Sequence, residues 1–137
     1  MDFEARLWTV PAARMKGGVE HRVPLTGEML AMLEPLKAMA STYVFEGQKR
    51  HQPLSNMSML MLLLRMGRKD VSVHWFRSSF RDWAAEEAGA PRELAESALA
   101  HQVGADVERA YARSDLLERR RELMEIWNSR CFTQIDE

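Results

Sequence analysis

The sequence predicts an α+β fold that is mostly α: a small antiparallel β-hairpin or sheet packed on a helical bundle. Three observations predict it. Residues on either side of Gly17-Gly18 alternate loosely between apolar and polar, as strands do. From Thr26 the period changes, and Met29, Leu30, Met32, Leu33 and Leu36 recur at helical spacing. Later, Gly67, Gly89 and Pro91 stand where helices stop or start.

Each element follows in order. Glu4 to Pro11 suggests a first strand, and His21 to Leu25 a second. The Gly-Gly pair between them supplies positive φ for the turn and leaves Lys16 near the tip. Residues 1–25 thus form the hairpin part and 26–137 the helical part. Thr26 or Gly27 starts a helix that Pro35 is expected to kink or split. Thr42 to Phe45 is a short β-like run, and Glu46 to Pro53 a surface loop. Ser55 is a candidate N-cap for a helix from Asn56 to about Met66, closed by Gly67. That helix is apolar nearly all round, which predicts burial. Ser72 caps the next, expected to reach Ala88, with Phe76, Phe80, Trp83 and Ala84 as its core stripe. Pro91 opens a helix to about Leu99, and His101 to Gly104 breaks it. Asp106 to Arg113 is a short helical segment holding Tyr111. Ser114 or Asp115 caps a last amphipathic helix with Leu116, Leu117, Leu123, Met124 and Trp127 on its apolar side.

Composition bounds the function. A chain of 137 residues suits one domain, and 46% apolar with 28% charged residues is an ordinary globular balance. A net charge of −1 excludes a surface that is nucleic-acid glue throughout, while a local basic face stays open. The single cysteine, Cys131, allows no internal disulfide and fits a reducing, cytoplasmic setting. The longest apolar run, Met57 to Leu64, is too short to span a bilayer, and the start lacks a signal-peptide pattern. His21, His51 and Cys131 show no metal-ligand spacing. Arg119-Arg120-Arg121 could touch phosphate, but Glu118 and Glu122 flank it, and a solvated helix face is the simpler reading.

One stretch carries candidate chemistry. In Ser72 to Trp83, His74 and Arg77 stand three residues apart and share a face if helical. An imidazole beside a planar guanidinium is suited to gripping a phosphate. Lys16 precedes this pair, and His101 and Tyr111 follow it.

The order and spacing of these pieces resemble the catalytic domain of the tyrosine recombinases, and within them the phage-type integrases. The strings that carry the resemblance are Arg14-Met-Lys16, His-Arg-Val-Pro-Leu from His21, His74-Trp-Phe-Arg77-Ser-Ser-Phe-Arg-Asp-Trp-Ala, Ala-Leu-Ala-His101, Arg-Ala-Tyr111 and Glu-Arg-Arg-Arg-Glu-Leu-Met from Glu118. The resemblance covers nearly the whole chain. It implies site-specific recombination or integration of double-stranded DNA, by strand cleavage and religation through a 3′-phosphotyrosyl intermediate, with no cofactor and no metal. It implies Tyr111 as nucleophile, Arg77 as phosphate clamp, and His74 as general acid/base. Lys16 would protonate the leaving 5′-oxygen, and His101 would donate to a phosphate oxygen. It also implies a bacterial or phage-derived protein working in the cytoplasm.

Two departures qualify this. The family has a further arginine upstream of the hairpin, and this chain has no such segment before residue 4, so it is expected to be the N-terminally incomplete, carboxy-terminal part of a catalytic domain. Trp75 stands where relatives usually have glycine. The alternative function is therefore a catalytically incompetent fragment acting only in DNA binding or protein association. The apolar face of the last helix must be covered, either by packing within the chain or by docking on a neighbouring protomer, so self-association through residues 115–130 is one of two expected outcomes.

Overall fold

Leu7 to Val10 and His21 to Pro24 form strands β1 (Leu7–Val10) and β2 (His21–Pro24), paired antiparallel with Leu7 opposite Pro24 and Val10 opposite His21. The computed structural model describes residues 1–39, 42–49, 51–101 and 116–133. A single 3₁₀ turn, Ala12–Arg14, leads into the connecting loop. Gly18 there has φ +65°, the left-handed conformation its lack of a side chain permits.

Five helices are described: α1 (Gly27–Met39), α2 (Ser58–Arg65), α3 (Trp75–Glu86), α4 (Arg92–Ala98) and α5 (Leu117–Thr133). The fold class is thus α+β, mostly α. Pro35 lies inside α1, which continues through it unsplit. Its missing N–H removes one bond, and the remaining turns hold the helix. Thr42 to Phe45 is not a strand; nearby, Glu46 and Pro53 form an isolated bridge that closes a loop. Four residues with no partner strand cannot make a ladder.

The chain divides into two compact units. The first holds the described residues of Met1–Gly27 and Phe80–Glu137, the second Glu28–Ser79. In the first, Phe80, Trp83, Ala84, Leu94, Ala95 and Leu123 form one buried cluster. Trp127 completes an aromatic group, its ring centroid 4.8 Å from that of Trp83 and 5.5 Å from that of Phe80. The apolar face of α5 is therefore covered within its own chain. α5 also holds the hairpin base. Thr26 Oγ1 donates to Asn128 Oδ1 at 2.9 Å, both residues buried, and Arg121 Nη1 donates to the Arg6 carbonyl at 3.2 Å. A net gain of about 1 kcal/mol is typical of one such internal bond.

The arginine run is not one solvated face. Arg120 is only 1% exposed, with Nη1 3.5 Å from the Ser97 carbonyl, whereas Arg119 is exposed. Three consecutive helical residues span about 200° of the helix surface, at about 100° per step, so they cannot all share the solvent face of a packed helix.

In the second unit Leu33 and Leu63 are buried. The expected burial of α2 does not occur: Leu63 is its one buried residue, and Met59, Met61 and Leu62 are each about half exposed. Phe76 likewise leaves the expected core stripe of α3, at 54% exposure. The carboxy end of α2 matches, with Gly67 closing the helix at φ +75°, but the amino end does not: the helix starts at Ser58 with Met57 as its N-cap, and Ser55 Oγ accepts from the Met57 N–H at 3.2 Å in the turn before it. Among the described residues no helix is long and apolar enough to cross a membrane.

Candidate functional site

His74 stands in the turn that leads into α3, and Arg77 in the first turn of that helix. The Trp75 N–H donates to the Ser72 carbonyl at 3.0 Å, and the Arg77 N–H to the His74 carbonyl at 3.1 Å. This short turn brings the two residues together at the helix start. Both are exposed. The first turn holds no acidic residue. The amino end of a helix carries partial positive charge, which favours an anion near it. Trp75 and Phe76 are 58% and 54% exposed, so the indole at the unusual position is not core packing.

A second group forms at the end of α4. Ala100 has φ +56°. The Ala100 N–H donates to the Ser97 carbonyl at 3.1 Å and the His101 N–H to the Glu96 carbonyl at 2.9 Å. These are the paired bonds of a Schellman cap. The cap folds His101 back over the residue five places earlier. His101 Nδ1 lies 2.5 Å from Glu96 Oε2, and Arg81 Nε donates to Glu96 Oε1 at 2.8 Å. Glu96 is buried, while Arg81 and His101 are about half exposed. The Arg81 guanidinium, and after it His101, hold the Glu96 carboxyl below the ordinary glutamate range.

Lys16 is exposed on the hairpin loop, two residues after the 3₁₀ turn. Lys16 and His101 belong to the first unit, His74 and Arg77 to the second. Tyr111, with the short helix expected around it, lies outside the described residues, as do the proposed caps Ser114 and Asp115. Sequence reasoning missed Arg81 and Glu96. Arg81 follows Arg77 by one helical turn, which was a usable signal. Glu96 and His101 are five apart, a spacing that regular helix geometry does not bring into contact. Among the described residues no group of three His, Cys, Asp or Glu side chains could hold a metal ion.

Comparison with known proteins adds to this geometry. The model of the phage integrase family matches residues 1–118. Prophage integrase IntA of Escherichia coli (strain K12) is 39% identical over 130 residues, 93% of this chain and 32% of that protein. The integrase of Shigella phage Sf6 is 31% identical over 132 residues, 93% of this chain and 34% of that protein. Prophage integrase IntS of Escherichia coli (strain K12) has the same identity and coverage. The chain spans about a third of the length of these curated relatives. No solved structure matches it.

Proposed function

From the premise that the chain belongs to the phage integrase family, we propose that it carries the strand-transfer chemistry of a site-specific recombinase acting on duplex DNA. The observation that carries this reading is the placement of His74 and Arg77, joined by one backbone bond, at the start of α3, whose first turn carries no acidic residue, inside the family match. In the proposed step the Tyr111 phenol oxygen attacks the scissile phosphorus. A phosphorus–oxygen bond to tyrosine forms as the bond to the 5′-oxygen breaks. His74 takes the phenol proton, a task suited to an imidazole near neutral pH. Lys16 gives a proton to the departing 5′-oxygen, reached by a long side chain on a loop. Arg77 spans two non-bridging oxygens and offsets the charge that grows there. His101 donates to a phosphate oxygen. The phosphotyrosyl bond keeps the phosphodiester energy for religation, so the cycle needs no cofactor. Its substrate places this work in the cytoplasm of a bacterial host.

A nicked suicide duplex tests the reading. The expected result is a covalent protein–DNA adduct that forms with this chain, or with a chimera in which it replaces the matching third of a full-length integrase. The adduct disappears in Tyr111→Phe. Salt-sensitive DNA binding without an adduct, in the chimera as well, would replace this reading with the binding-only alternative. Self-association through α5 is not needed to cover that helix, because Leu123 is already buried and Trp127 packs against the core in the chain itself.

A further inference from the structure

We propose that Glu96 is a positioning residue for His101: it holds the imidazole through Nδ1, with Arg81 fixing the carboxylate, so that Nε2 meets a phosphate oxygen. The proposal rests on the phosphate role given to His101 above.

Three features of the structure converge on it. The Glu96 carboxylate is buried and engaged on both oxygens, by Arg81 at 2.8 Å and by His101 at 2.5 Å. It therefore has little freedom to rotate away. The backbone supplies a second hold, because the His101 N–H donates to the Glu96 carbonyl at 2.9 Å. The left-handed Ala100 makes that bond possible. His101 is thus tied to one residue by both main chain and side chain, while its ring stays about half exposed.

The chemistry follows from the ring's two nitrogens. The hydrogen bond made by one sets the role of the other. A ring that donates from Nδ1 to Glu96 serves an outside group only through Nε2. To donate to a phosphate oxygen as well, Nε2 must also carry a proton, so the acting ring is an imidazolium. Glu96 supplies the negative charge beside it, and Arg81 keeps that charge in place. Carboxylates that orient metal-bound histidines work by the same geometry, and losing them costs roughly 10- to 100-fold.

The test uses the intact ¹⁵N-labelled chain and reads the His101 ring nitrogens directly, with and without a nicked duplex. Adduct formation is followed in parallel. In the wild type Nδ1 is expected to be protonated, and Nε2 to shift when DNA is added. Glu96→Gln should abolish the Nε2 response and slow the adduct about 10-fold, with unchanged far-UV circular dichroism. In a His101→Ala background the same substitution should cause no further slowing. An unprotonated Nδ1 in the wild type overturns the proposal with no variant needed. So does an adduct from Glu96→Gln at the wild-type rate, or a full additional loss in the His101→Ala background. If no Tyr111-dependent adduct forms with any of these proteins, the cleavage reading fails separately. The ring nitrogens then decide the positioning role: an Nε2 response to DNA lost in Glu96→Gln supports it, and no response in the wild type overturns it.

Discussion

Ala100 and Gly67 hold the same place in two helix caps, and only one of them is suited to it. Gly67 has φ +75° and Ala100 φ +56°. An L-residue in that region pays a steric penalty of roughly 1–2 kcal/mol, which glycine avoids. Glycine's looser unfolded state returns about 0.4–1 kcal/mol of that. Ala100→Gly should therefore raise stability by roughly 0.5–1 kcal/mol, and Ala95→Gly, in the middle of α4 and buried, should lower it by at least a similar amount. Urea denaturation of the two variants checks the pair. Next to this cap, Glu96 gives a pH prediction. Its folded carboxyl titrates below the ordinary range because Arg81 and His101 stabilise the anion. A depressed folded pKa contributes stability above the unfolded value of about 4.3, and the contribution is lost as pH falls through the folded value. Wild type and Glu96→Gln should thus differ in Tm most near neutrality, and the difference should shrink on acidification below about pH 4.3. A Tm gap that stays constant down to pH 3 would exclude Glu96 as the source.

At the scale of elements, α3 shows what periodicity can and cannot predict. Phe76, Phe80, Trp83 and Ala84 fall on one stripe, yet Phe76 is 54% exposed and Trp83 only 7%. Trp83→Ala should cost about 3–5 kcal/mol, whereas Phe76→Ala should stay within about 0.5 kcal/mol. Chemical denaturation of each, against wild type, distinguishes them. The hairpin was legible because alternation and a Gly-Gly turn are local signals. α4 and α5 were legible because Pro91 and an apolar face at Leu123 and Trp127 mark them. The burial of α2 was not, because a run such as Met59-Leu-Met-Leu-Leu-Leu records only that the helix is apolar on every side. How much chain is folded against it is a tertiary fact. The closeness of His74 and Arg77 along the chain at the start of α3 was legible from spacing, although His74 lies in the turn before the helix. The link from Arg81 through Glu96 to His101 was not, because it depends on one positive φ at an alanine, and sequence signals for that conformation point to glycine or asparagine.

At the scale of the molecule, the two units differ in how much apolar surface they bury. The first buries an aromatic and aliphatic cluster that includes Phe80, Trp83 and Leu123. The second buries Leu33 and Leu63 among the described residues, while Met57 and Met66 on either side of α2 are 53% and 65% exposed. Each large apolar side chain taken fully out of water contributes roughly 1.5–3 kcal/mol, so the second unit has fewer such terms to set against its chain entropy. Local opening follows that difference. The amide protons of α2 should exchange at a lower opening free energy than those of α5, as read by native-state hydrogen exchange across a urea series. Leu63→Ala should lower the α2 value further and leave α5 unchanged. Equal protection in α2 and α5 would mean that the exposed methionines are covered in solution. The distinction bears on the proposed chemistry because His74 and Arg77 belong to the second unit. If α2 opens first, a DNA duplex that binds these two residues only when their unit is closed should slow exchange in α2 more than in α5, in proportion to its occupancy.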